Sequence, residues 1–204
     1  MTASHKSIDL VNEGINFSHE SGLAALPIPK QSRSFLHLVG NSGQLKIHSA
    51  PFRGTFSVVL SEALRSAGLG SRVLVAQFLK GGVQQGPKNS VKLCGKLEWL
   101  RPSLSCCITK ENLEASDQES KINLRNAVEA IWNVCKEQII NQKIDQIVLD
   151  EIGLAISLGL LSKKDIISIL TERPKSIDFI LTGPAIPQEA MDMADQITQL
   201  RCSN

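Results

Sequence analysis

The sequence predicts a doubly wound α/β fold with a mainly parallel sheet, built as one domain. Three observations carry this expectation. Short apolar runs alternate with segments of helical period along most of the chain. Two of those runs, RVLVAQF (72–78) and QIVLD (146–150), are apolar almost throughout, as central parallel strands covered on both faces must be. The chain has 204 residues, 42% hydrophobic and 21% charged, which suits one well-buried core.

The elements follow in order. Residues 1–32 are rich in polar residues and carry Pro27-Ile28-Pro29, the composition of an N-terminal arm ahead of a domain at 33–204. FLHLV (35–39) and QLKIHS (44–49) flank Gly40–Gly43, which suggests a hairpin. A strand at Leu45–Ser49 leads through a short turn into a helix with apolar residues at 56, 59, 60, 63, 64 and 67. Gly68 and Gly70 stop that helix. The strand at 72–78 is followed by a Gly-rich basic loop (80–92) and a strand at 96–100. Residues 108–121 read as a polar connector. Leu124, Ala127, Val128, Ile131, Val134 and Cys135 share one helical face. After the strand at 146–150 come two short helices (152–160 and 163–171), a strand (176–183), a short helix (187–193) and a closing strand (195–201).

Composition excludes several classes of function. Aromatic residues make up 4% and tyrosine is absent, too few to suggest the base-stacking platforms of single-strand or RNA-binding proteins, so a nucleic-acid partner is not expected. No apolar run is long enough to span a bilayer and the first residues lack an apolar signal core, so the expectation is a cytoplasmic protein with no membrane partner. The five cysteines (94, 106, 107, 135, 202) show no C-x-x-C spacing, and the four histidines form no metal pattern, so no protein-ligated transition metal is expected. The net charge of +2 is uneven: residues 1–110 hold 13 Lys and Arg against 5 Asp and Glu, and residues 111–204 hold 9 against 15.

Three segments bear on chemistry. The joint HSAPFRGTFS (48–57) connects a strand to a helix, the place where a Gly-rich loop cradles phosphates in nucleotide-binding α/β proteins. It has one glycine, Gly54, and no lysine; Pro51 removes a backbone donor and Phe52 adds bulk. The helix N-terminus, Arg53 and Gly54 remain as groups that could face an anion. The second segment is VLDE (148–151), an apolar strand ending in two carboxylates at the edge where ligands bind in open α/β sheets. Asp150 and Glu151 are the expected Mg²⁺-binding pair. The third is AQFLKGG (76–82), whose Lys80 opens a run free of acids between Glu62 and Glu98. For each, an ordinary turn, a solvated strand end or a solvated loop is the alternative reading.

Taken together and in order, these segments resemble the cob(I)alamin (ATP:corrinoid) adenosyltransferases of the phosphate-loop type. ALRSAGLGSRVLVAQFLKGG (63–82) is similar to that family's helix, turn and second strand. DQIVLDEIGLAISLGLLSKKDIISIL (145–170) is similar to its acidic-pair strand and the two helices after it. TERPKSIDFILTGPAIPQEAMDMADQITQLR (171–201) resembles its closing segment. The resemblance implies a fold of the phosphate-loop nucleotide hydrolase type and a homodimer. It implies that ATP, Mg²⁺ and a corrinoid are bound, and that a Co(I) corrinoid attacks the 5′ carbon of ATP and releases triphosphate. It adds Ser49, Thr55 and Ser57 of the joint, and Arg173 in the RP pair, to the nucleotide-side residues. Aligned on the family loop TGNGKGKTT, Thr55 stands at the phosphate lysine, Phe56 at the first threonine and Ser57 at the second, while Pro184 replaces the arginine of TGR. Two functional readings stay open: an adenosyltransferase using Arg53, Ser57 and Lys80 around the triphosphate, and a non-catalytic relative that binds nucleotide or corrinoid. A fold-only relative with an unrelated partner is a third.

Overall fold

A computed structural model describes residues 42–54, 57–81, 91–93 and 96–200. The expected N-terminal arm, FLHLV (35–39), most of the basic loop, Thr55 and Phe56 lie outside the described residues.

The order of elements is β1 (Leu45–Ser49), α1 (Ser57–Gly68), β2 (Val73–Gln77), β3 (Val91–Leu93), β4 (Leu97–Leu100), α2 (Lys110–Ala115), α3 (Gln118–Ile140), β5 (Gln146–Asp150), α4 (Ile152–Ser157), α5 (Lys163–Thr171), β6 (Asp178–Gly183), α6 (Gln188–Asp192) and β7 (Gln196–Gln199). The strands form one sheet in the order β3-β4-β2-β5-β6-β1-β7. Six strands run parallel, and β3 pairs antiparallel with β4 at one edge. This is the doubly wound α/β architecture expected from the alternation of strands and helices.

Side-chain parity divides the core in two. Leu45, Ile47, Leu74, Ile147, Leu149, Phe179 and Leu181 face the layer made by α3, α4, α5 and α6. Val73, Val75, Leu97, Trp99, Val148 and Ile180 face α1, which contributes Val59, Ala63 and Ala67. All five residues of β2 and of β5 are buried, because both faces of these strands are covered. The long helix α3 starts at an Asp117 cap that accepts from the Ser120 amide, and it buries Val128, Ile131, Trp132, Cys135 and Ile139. In α5, the Ser162 hydroxyl accepts from the Asp165 amide.

Four expectations need correction. The connector at 108–121 holds a helix of its own, α2, capped by Thr109, and the first turn of α3; a short polar helix and the polar first turn of a long one read as loop when apolar period alone is followed. The basic loop contains a short strand, β3, at its end. The α1 stripe is narrower than its sequence period, since Leu64 is exposed. The hairpin expected between 35–39 and 44–49 falls partly outside the described residues, and β1 has no edge left for it: β6 and β7 flank β1 on its two sides.

Two outcomes test this architecture. Cys135 is buried and its thiol is pushed above the ordinary range by desolvation, whereas Cys106 is exposed. Alkylation of native protein followed by peptide mass mapping is expected to label Cys106 and to spare Cys135 until denaturant is added. Gly153 packs so closely that a Cβ there would sit 2.6 Å from the Ala185 backbone. Gly153→Ala is expected to destabilise by about 1–3 kcal/mol in urea unfolding, since backbone must move to admit the methyl.

Candidate functional site

The parity that builds the sheet also builds the site. Gln77, Asp150 and Thr182 follow Val75, Val148 and Ile180 on the α1 side, each the last such residue of its strand. The parallel register puts Gln77 beside Asp150, Asp150 beside Thr182, Thr182 beside His48, and His48 beside Thr198. A polar row therefore crosses five neighbouring strands at their C-terminal ends.

Asp150 is the centre of this row and is 2% exposed. Its Oδ1 accepts from the Thr182 hydroxyl at 2.5 Å, and its Oδ2 accepts from Gln77 Nε2 at 2.8 Å and Lys80 Nζ at 2.7 Å. Lys80 reaches Asp150 from the turn that follows β2, and it too is buried. Gln77 is held in turn: its Oε1 accepts from Trp99 Nε1 at 3.0 Å and from Arg101 Nε at 2.9 Å. Those two donors fix which end of the amide faces Asp150. Burial pulls the Arg101 guanidinium below its ordinary range.

Glu151 forms a second centre. Its backbone is left-handed (φ 60, ψ 27) where β5 turns into α4, and its amide donates to the Thr182 carbonyl at 3.0 Å. Arg53 grips its carboxylate as a fork, Nε to Oε1 at 3.1 Å and Nη2 to Oε2 at 2.6 Å, while Nη1 donates to the Ile108 carbonyl at 2.7 Å. The fork to Glu151 raises the Arg53 pKa. Gly183, with φ 105, lies directly against this turn; a Cβ there would meet the Glu151 Cα at 3.0 Å. Only glycine combines that backbone angle with that approach.

The joint between β1 and α1 borders two clefts. One, of about 460 Å³, is lined by His48, Phe52, Gly54, Ser57, Val58, Thr198 and Leu200. The other, of about 580 Å³, is lined by Ser49, Ala50, Pro51, Pro184, Ala185, Gln199 and Leu200. Burial lowers the His48 pKa, with Glu62 opposing and Lys46 assisting that shift.

The structure thus brings together Arg53, Lys80, Asp150 and Glu151, and sets Ser49, Gly54 and Ser57 on the clefts beside them. It does not bring Arg173 there. Arg173 bonds the Leu170 carbonyl and pairs with Asp195, whose carboxylate accepts from the Leu45 amide at the start of β1. That is the opposite edge of the sheet. Thr55 lies outside the described residues. Sequence reading missed Gln77, Thr182 and Arg101, along with the place of His48 in the polar row. A signal was present: on the α1 side a polar residue ends the series of five of the six parallel strands.

The sequence model of the family described as ATP:corrinoid adenosyltransferase BtuR/CobO/CobP matches residues 41–204. The chain belongs to this family. Among similar proteins, the corrinoid adenosyltransferase CobA of Salmonella typhimurium is 28% identical over 149 residues, covering 73% of this chain and 71% of that one. The corrinoid adenosyltransferase of Escherichia coli is 24% identical over the same length and shares. The uncharacterized protein all2391 of Nostoc is 28% identical over 171 residues; the match covers 78% of this chain and 44% of the Nostoc protein. This chain therefore spans less than half of that relative's length.

An adenosyltransferase of this family implies Mg²⁺ on the acidic pair, and the residues present do not fit it. Both oxygens of Asp150 and of Glu151 already accept hydrogen bonds, and each carboxylate has a cation within 2.7 Å. Among the described residues no group of three His, Cys, Asp or Glu is placed to hold a metal. No helix among them is long and apolar enough to cross a membrane.

Asp150→Ala removes the carboxylate that Gln77, Lys80 and Thr182 share, and is expected to cost about 3–5 kcal/mol in urea unfolding; a loss below about 1 kcal/mol would contradict the network's role. His48 is lowered in the folded state, so its contribution to stability is full above the unfolded value near 6.5 and declines as pH falls below it. The fall in melting temperature between about pH 7 and pH 5 is expected to be smaller in His48→Gln than in the wild type.

Proposed function

We propose that this protein is an adenosyltransferase that moves the adenosyl group of ATP onto a Co(I) corrinoid, with a triphosphate site rebuilt around Arg53 and Lys80. The observation that carries this is the convergence of two cations and two carboxylates at the C-terminal ends of β1, β2 and β5, in a chain of this family. Ligands of open α/β sheets bind at that edge. The reaction asks two things of the protein: to hold two substrates in line, and to stabilise the triphosphate as it leaves. Arg53 is permanently charged and has five N–H donors, three of which are engaged by Glu151 and Ile108, so donors remain for phosphate oxygens. Its side chain is 31% exposed and reachable. The cleft lined by Phe52, Val58 and Leu200 beside His48 and Ser57 has the apolar wall and few polar groups that a nucleoside base needs. A homodimer and a cytoplasmic location are parts of the same proposal.

A second reading is favoured by one specific feature. Arg53 and Lys80 spend their charge on Glu151 and Asp150. A site neutralised from within suits a non-catalytic protein that keeps nucleotide or corrinoid affinity.

Calorimetric titration with ATP, with and without Mg²⁺, is expected to give saturable binding that Arg53→Ala weakens by about 30–100-fold. Visible spectra with cob(I)alamin under strong reductant are expected to show the adenosylated product, forming about 100–1000-fold more slowly than in a relative with the loop lysine. Binding without product would establish the non-catalytic reading. No binding at millimolar ATP would overturn the first.

A further inference from the structure

We propose that Asp150 and Glu151 are not a divalent-metal site in this protein: Lys80 and Arg53 are their built-in counter-cations, and a polyphosphate is received here as the metal-free anion. The choice of polyphosphate as ligand rests on the function proposed above; the statement about the acidic pair stands on its own geometry.

The argument begins with room and charge. Mg²⁺ takes carboxylate oxygens at about 2.0–2.1 Å and keeps several waters in an octahedron. On Asp150, Oδ2 already carries the Lys80 ammonium at 2.7 Å and the Gln77 amide at 2.8 Å, and Oδ1 carries the Thr182 hydroxyl. Gln77, Thr182 and Lys80 are all nearly fully buried, so no shell of waters fits around this carboxylate. A divalent ion brought to Oδ2 would also stand beside a fixed ammonium. Glu151 is equally committed. The Arg53 fork covers both of its oxygens, and the left-handed backbone that carries it is held by the bond from its amide to the Thr182 carbonyl.

The composition of the joint fits the same picture. Residues 48–57 hold no lysine, and their one arginine, Arg53, bonds the acidic pair. An arginine fork matches a carboxylate in two bonds, which a lysine cannot do. The two ion pairs offset the charge of the two carboxylates, which a metal ion would otherwise offset.

The test uses Mn²⁺ as the metal probe, followed by the electron paramagnetic resonance signal of the free ion. The wild-type protein is expected to leave that signal unchanged up to millimolar Mn²⁺. Lys80→Met and Arg53→Met each vacate a carboxylate, and folded variants are expected to gain Mn²⁺ affinity of about tenfold or more. Arg53→Met, at the more exposed pair, decides the matter where Lys80→Met fails to fold. Stoichiometric Mn²⁺ binding by the wild type, competed by Mg²⁺ and lost in Asp150→Asn, would overturn the proposal. So would the absence of any gain in the folded variants. Calorimetry with ATP in excess chelator is expected to match or exceed the affinity for MgATP, and tenfold tighter binding of MgATP would contradict it. If ATP binds in neither form, the polyphosphate ligand and the function proposed above fall together, and the Mn²⁺ arm still decides the acidic pair.

Discussion

A carboxylate inside a sheet is the constraint around which this protein is arranged. Asp150 ends the central strand β5, between β2 and β6, with helices on both faces. Left alone there, its desolvation would cost several kcal/mol. Three donors on three separate segments meet it: Gln77 from β2, Lys80 from the turn after β2, and Thr182 from β6. Gln77 is itself oriented by Trp99 on β4 and Arg101 just beyond it. Four parallel strands are thereby tied together at one edge by polar bonds, while their apolar residues tie them through the middle. The geometry of the C-terminal edge follows from satisfying one charge.

The neighbouring Glu151 extends that logic to the loop. Because β5 must turn sharply into α4, Glu151 takes a left-handed backbone and directs its carboxylate toward the β1–α1 joint. Arg53 meets it there and also bonds the Ile108 carbonyl, so the joint, the segment before α2 and the end of β5 are held as one unit. The described part of this joint has no lysine, and its arginine has a protein partner in Glu151. Anion recognition, where it occurs, must either share Arg53 with Glu151 or draw it away.

Much of the fold was legible from the residues. β2 and β5 are apolar almost throughout, and the stripes of α1 and α3 have helical period, because burial on both faces or on one writes itself directly into sequence. Less was legible where polarity and structure coincide. The helix α2 is short and polar, so period gave no sign of it, and its Thr109 cap was the readable cue. The acidic pair was legible as a strand ending in two acids. Its partners were not, because Lys80 lies seventy positions and Arg53 ninety-eight positions away in the chain.

The sequence by itself determined the class of fold, the family and the positions of the charges at the strand ends, since these depend on local pattern and collinear motifs. The tertiary structure decided what those charges do. Parallel register put Gln77, Asp150 and Thr182 in one row, and strand order placed Lys80 and Arg53 within bonding distance of two carboxylates. It also carried Arg173 to the far edge, onto Asp195. Pairings of this kind depend on which strands are neighbours and on which face a side chain emerges, and neither is written in any single stretch of residues.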